Sequence, residues 1–213
     1  MKYAAGETVA QTGFECMDYS THEIEQFLDA VASSRVAPAG GSAAALTGAF
    51  GAALAEMAAH HTLANHGETT AGNLKIAKER LSQQRTVLLT LAGEDAQAID
   101  ALFADGAGEP DQATVSRATG IPLSIAEACV EILEKSLDIA ERVDDNVRQD
   151  LHTALYLTVG AASAAIRTVE PNLDLLQDDD VRLELEKRAE TTTERLSTAI
   201  DRMAERTDVE FFD

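Results

Sequence analysis

The chain has no tryptophan and, among 213 residues, only six phenylalanines, three tyrosines and two cysteines. With so few large aromatic side chains, its core must be aliphatic and alanine-rich. Cys16 and Cys129 are too few and too isolated for a disulfide framework or a metal site. No stretch alternates polar and apolar residues with period two over a useful length, which argues against strands. Positive charge is scarce: 17 Lys and Arg face 37 Asp and Glu, a net charge of −20. Such a chain repels nucleic acid and anionic membrane surfaces, so neither is expected as a partner. The same excess fits a surface adapted to concentrated salt, where screening removes self-repulsion, and a halophilic protein is expected. No nucleophile elbow, phosphate-binding loop or dinucleotide fingerprint occurs. No basic segment followed by an apolar stretch opens the sequence, and a cytoplasmic location is expected.

What is present is organised around residues 36–62, VAPAGGSAAALTGAFGAALAEMAAHHT, uncharged from Val36 to Ala55. Pro38-Ala39-Gly40-Gly41-Ser42 suits a tight turn with Ser42 as N-cap, and the alanines beyond it favour helix. Small residues recur every seven positions: Gly41, Gly48 and Ala55 on one line, Ala44, Gly51 and Ala58 on another. A face that small admits another backbone at close range. The glycine-rich N-terminus would present backbone N–H groups suited to an anion or carboxylate, although a short glycine run is a weak signal that also fits a plain turn. The stretch is long enough for a bilayer. Ala and Gly insert weakly, however, and Glu56, His60 and His61 follow at once, so a central helix packed among others is expected.

The remaining periodicity is helical throughout. A capping box at Ser20-Thr21-His22-Glu23 opens a helix over 21–34, after a loosely ordered arm at 1–19. The small-residue helix covers 41–63 and closes at Asn65-His66-Gly67. A long helix follows over 70–104, then a short one at 111–118 and another started by Gly120-Ile121-Pro122 and reaching Val143. A helix over 145–169 is ended by Pro171, and the last runs over 178–206. Together these predict an all-α, single-domain antiparallel helical bundle over 20–213, with small helix faces that suit a homodimer.

Two carboxylates stand out. Asp95 falls on the inner stripe of its helix, four residues after Leu91 and four before Ile99, where an ionised group is costly unless it is paired or works in a cavity. A capped or salt-bridged carboxylate at the stripe's edge fits equally. Asp150 lies near the buried side of the next-to-last helix, with Asn146 one turn earlier; beside Asp144 and Asp145 it also reads as part of a solvated acidic face. His60, His61 and His66 cluster beyond the central helix without the spacing of a zinc site. One could serve as an acid or base, but surface or capping histidines are the commoner case. Residue spacing alone thus suggests a cavity with two carboxylates near a Gly-Ser nest, and no substrate.

Several segments, taken in order, resemble the cyclodeaminase/cyclohydrolase family: Phe27–Ser33 (FLDAVAS), Pro38–Leu46 (PAGGSAAAL), Gly48–Leu54 (GAFGAAL), Glu94–Asp100 (EDAQAID), Asn146–Asp150 and Thr168–Leu173 (TVEPNL). Ala39, Gln149 and Thr168 depart from that family's usual glycine, serine and asparagine. The resemblance implies a homodimeric helical bundle with a folate cleft and no metal or other cofactor. It implies hydrolysis of 5,10-methenyltetrahydrofolate to 10-formyltetrahydrofolate, or cyclodeamination of formiminotetrahydrofolate with release of ammonia; a non-catalytic folate-binding dimer is the remaining alternative. Asp95 and Asp150 would then be catalytic, and Gly40, Gly41, Ser42, Asn146 and Asn172 would line the folate cleft.

Overall fold

A computed structural model describes residues 22–66, 71–103 and 110–206. Among these, all regular structure is helical: α1 (His22–Ala32), α2 (Gly40–His66), α3 (Ala71–Leu102), α4 (Gln112–Ile139), α5 (Arg148–Leu173) and α6 (Asp179–Arg206). The expected arm at 1–19, the Ser20-Thr21 cap and the Gly67 stop lie outside the described residues.

Helices α2 to α5 run up, down, up and down, with α2 central between α3 and α5. The small positions of α2 set this packing. A Cβ on Gly48 would stand 2.6 Å from Cys129 Sγ and 3.0 Å from Leu88 Cδ1; one on Gly51 would stand 2.2 Å from Thr158 Oγ1 and 3.0 Å from the Ala154 carbonyl oxygen. Three neighbouring helices therefore approach α2 only because these side chains are absent. By length and composition α2 could also cross a bilayer, yet 56% of its most apolar window is buried within the bundle.

Helix α6 is polar and lies parallel to α4 on the outside. Leu185, Leu196 and Met203 are its buried anchors. Arg188, Arg195 and Arg202, spaced seven apart on one face, pair with Glu127, Glu134 and Asp138 of α4, each with an N–O separation of 2.9 Å. Arg188 and Arg195 make two bonds each to their partner carboxylates. A seven-residue repeat keeps one row of a helix facing its neighbour, so the row acts as a ladder.

Several boundaries differ from the sequence expectation, three of them for reasons that bear on the fold. Residues 111–118 and 120–143 are not two helices: α4 is continuous through Gly120 and Pro122. Proline removes the N–H that would bond the Ala118 carbonyl one turn back, and a side chain from α5 replaces it, as described below. Helix α5 likewise passes Pro171 and ends at Leu173, because a proline in the last turn costs a single bond on an exposed side. Its expected start at 145 is instead a short 3₁₀ turn, Asp145–Val147.

Candidate active site

The two ends of the bundle have different chemistry. At one end of the bundle lie the first turn of α2, the last third of α3, the beginning of α4 and the end of α5. Helix α2 begins at Gly40, with the Ala43 N–H bonding the Ala39 carbonyl at 3.0 Å. Ser42 therefore lies inside the first turn and is not the N-cap that the sequence suggested. An α-helix leaves its first N–H groups without partners, and here the acceptor comes from another helix: Asp95 takes the backbone N–H of Ser42 and, at 2.8 Å, its hydroxyl. The Ser42 hydroxyl also lies 2.9 Å from the Ala92 carbonyl oxygen. Asp95 is 3% exposed and Ser42 fully buried.

Gly41 makes this contact possible. A Cβ there would stand 2.2 Å from Asp95 Oδ1 and 2.6 Å from Cγ, inside the carboxylate. The glycine turn thus receives an anion, as its N–H groups predict, but the anion belongs to the protein itself. Burial raises the pKa of Asp95 above its ordinary 3.8, and the two bonds from Ser42 pull it partly back. Gly40 is exposed, with Thr168 of α5 beside it: a Cβ on Gly40 would lie 3.6 Å from Thr168 Cγ2. Next to this turn, Ile24, Phe27, Leu28, Leu46, Phe50 and Leu89 line an apolar groove of about 440 Å³.

Asn172 stands at the same end, and its amide nitrogen donates to the Ala118 carbonyl at 2.9 Å. That carbonyl is the one Pro122 cannot serve, so Asn172 supplies the donor α4 lacks. It stands one turn beyond Thr168, the neighbour of Gly40, and this half of its amide is committed to holding α4 together. Asn172→Ala should lower stability by about 1–2 kcal/mol in urea titration, the cost of a stranded carbonyl. Adding Pro122→Ala should restore most of it, because residue 122 then has an N–H for the same acceptor. Additive losses in the double variant would refute this account.

The other expected residues lie elsewhere. Gly40 packs by Thr168, Gly48 by Ala161 and Gly51 by Ala154, so α2 and α5 are antiparallel and Asp150, in the first turn of α5, sits at the far end of α2. The eighteen residues from Asp150 to Thr168 span about 27 Å of helix. Within one chain, therefore, Asp95 and Asp150 do not share a cavity: equal burial on two helices says nothing about which ends meet. Asp150 is half-buried, and Asn146 is exposed in the 3₁₀ turn.

The histidines also belong to that far end. His66 Nε2 lies 2.6 Å from Asp144 Oδ1, and Asn65 donates to Asp144 Oδ2 at 2.7 Å. The Asp144 backbone N–H donates to the buried Thr62 hydroxyl at 3.0 Å. Bonds from Asn65 and then His66 hold the Asp144 carboxyl below its ordinary range. This cluster pins the α4–α5 connection to the end of α2. Among the described residues, no three His, Cys, Asp or Glu side chains group to hold a metal. Cys129 offers no nucleophile at neutral pH, since burial pushes its thiol up to about 12.

Sequence reasoning missed the link between Ser42 and Asp95, 53 positions apart, and the use of Asn172. Only the seven-residue spacing that includes Gly41 hinted that something would approach that turn closely.

Comparison with known proteins gives the family and the fold. Residues 23–191 match the family model described as formiminotransferase-cyclodeaminase. The chain is 32% identical over 171 residues to the methenyltetrahydrofolate cyclohydrolase of Methylorubrum extorquens, covering 73% of this chain and 81% of that protein. The formiminotetrahydrofolate cyclodeaminase of Thermotoga maritima has the same fold, with a TM-score of 0.80 at 22% identity over 87% of this chain and 95% of that one.

Proposed function

Because the chain belongs to the formiminotransferase-cyclodeaminase family, we propose that it acts in folate one-carbon metabolism as a methenyltetrahydrofolate cyclohydrolase, with Asp95 as the proton-transfer group. A carboxyl buried at the opening of α2, with its pKa moved upward, is the observation that carries this reading. A general base works best when its pKa lies closer to the working pH than that of a free carboxyl. In the reaction, water adds to the carbon bridging N5 and N10 of 5,10-methenyltetrahydrofolate and loses a proton to Asp95. The adduct then collapses: the C–N5 bond breaks, N5 takes up a proton, and the hydroxyl becomes the formyl oxygen on N10. One proton is released overall, and no metal or further cofactor enters. An ionised Asp95 would also favour the cationic methenyl carbon electrostatically.

The protein is proposed to work as a homodimer. Ile24, Leu28, Phe50 and Leu89 leave an apolar face on α1, α2 and α3 that is 40–58% exposed, and pairing two copies would cover it. An antiparallel pairing about α2 would bring the Asp150 and Asn146 end of one copy toward the Asp95 end of the other, giving Asp150 a place in the site. Mixing Asp95→Asn with Asp150→Asn protein should then recover part of the activity that each lacks, and no recovery would rule this pairing out.

The deciding experiment is loss of the methenyltetrahydrofolate absorbance with purified protein at high potassium chloride and mildly acidic pH, corrected for spontaneous hydrolysis. Protein-dependent decay supports the cyclohydrolase. Its absence, together with ammonia release from formiminotetrahydrofolate, would replace it with the cyclodeaminase. Binding of folate without either turnover would make the chain a binding protein.

A further inference from the structure

We propose that Ser42 is a positioning residue whose hydroxyl changes partner with the protonation state of Asp95, so that the buried carboxyl stays hydrogen-bonded both before and after it takes up a proton. The proposal rests on the reading of Asp95 as the proton-transfer group. A serine hydroxyl has one proton to donate and two lone pairs, and Ser42 Oγ has two acceptors in reach: Asp95 Oδ2 at 2.8 Å and the Ala92 carbonyl oxygen at 2.9 Å. It can serve one at a time.

When Asp95 is ionised, the Ser42 O–H donates to the carboxylate, and the Ser42 N–H gives a further bond. When Asp95 holds a proton, its own O–H donates to Ser42 Oγ, and the Ser42 hydroxyl turns to the Ala92 carbonyl. Neither state strands a polar atom. That matters because Ser42 is fully buried and Asp95 nearly so, where an unmet donor or acceptor costs far more than at the surface. A second acceptor, the Ala92 carbonyl, within reach of the same hydroxyl is what separates this arrangement from a simple cap. Gly41 completes it by leaving room for the carboxyl at the turn.

Charged side chains do not compete for the role. Helix α2 has none before Glu56; along the neighbouring stretches, Glu94 and Asp100 stand on α3, Arg117 on α4, and Arg167 and Glu170 on α5. The causes that move Asp95 are burial and the two Ser42 bonds, with no charged neighbour among them.

The test is to titrate the Asp95 carboxyl C=O stretch by infrared spectroscopy in the resting, full-length protein, assigned with Asp95→Asn, alongside the pH profile of turnover. In Ser42→Ala the titration should move to higher pH, because the ionised form loses a donor while burial remains. The rate constant kcat should fall about tenfold or more, the worth of one hydrogen bond to a charged group, with KM within about twofold. Ser42→Thr, which keeps the hydroxyl, should recover most of both. An unmoved titration in Ser42→Ala overturns the proposal, and so does a rise in KM alone, which would make Ser42 a substrate contact. Wild-type protein that turns over no folate refutes the proposed function instead, and the resting-state titration still decides the role of Ser42.

Discussion

Asp95→Asn should lower methenyltetrahydrofolate turnover by about 100- to 10,000-fold, the usual worth of a positioned proton-transfer group, and at the same time raise the melting temperature. The second effect follows from linkage. The folded-state pKa of Asp95 lies above its ordinary 3.8 because burial disfavours the charge. The folded protein therefore holds that proton more tightly than the unfolded chain does. The resulting stability is fully present below the unfolded value and is lost as pH rises through the folded one. Once pH has passed the folded value, the wild type carries the whole penalty.

Asparagine has no such dependence and reproduces the protonated pattern: its amide nitrogen can donate to Ser42 Oγ while its oxygen accepts the Ser42 N–H. Calorimetry of both proteins should show melting temperatures that coincide at a pH of about 3.5, below the ordinary carboxyl value, and separate as pH rises. Equal melting temperatures at neutral pH would show that the buried carboxylate carries no penalty, and retained turnover that it is not used. A site residue whose removal stabilises the fold is what a destabilised functional group predicts.

Gly51→Ala should destabilise the protein by about 1–3 kcal/mol, even though alanine is the better helix former by about 1 kcal/mol. The added methyl would stand 2.2 Å from Thr158 Oγ1 and 3.0 Å from the Ala154 carbonyl oxygen. A rotamer change could move the hydroxyl, but the carbonyl belongs to the backbone of α5 and moves only with that helix. Thr158 is itself tied back to the same Ala154 oxygen at 2.7 Å. Gly160, on α5, is the control: it is exposed, and a methyl added there would meet nothing within 4 Å. Gly160→Ala should therefore stabilise by up to about 1 kcal/mol. For a chain of this length, each kcal/mol moves the melting temperature by roughly 2–4 °C, so the two variants should shift it in opposite directions. A stabilising Gly51→Ala would mean that α2 and α5 are less closely packed than the structure has them.

The sequence by itself determined the all-helical class, the order of the long helices and the place of Asp95 on an inner stripe. It also marked the small faces of α2, at Gly48 and Gly51 among others. Each of these is written in spacing along one helix, where a period of about 3.6 and a row of missing side chains are visible without any partner. Tertiary structure alone decided the rest. Pro122 reads as a helix boundary until Asn172, on the following helix, reaches the carbonyl it leaves open. Ser42 reads as a cap until Asp95 arrives to cap the helix in its place. Asp95 and Asp150 look alike on their own stripes, yet the antiparallel run of α2 against α5 sends them to opposite ends. In every case the missing information is the identity of a distant partner. Periodicity tells which face of a helix is buried, whereas the satisfaction of a buried polar atom depends on which other helix brings its partner within about 3 Å.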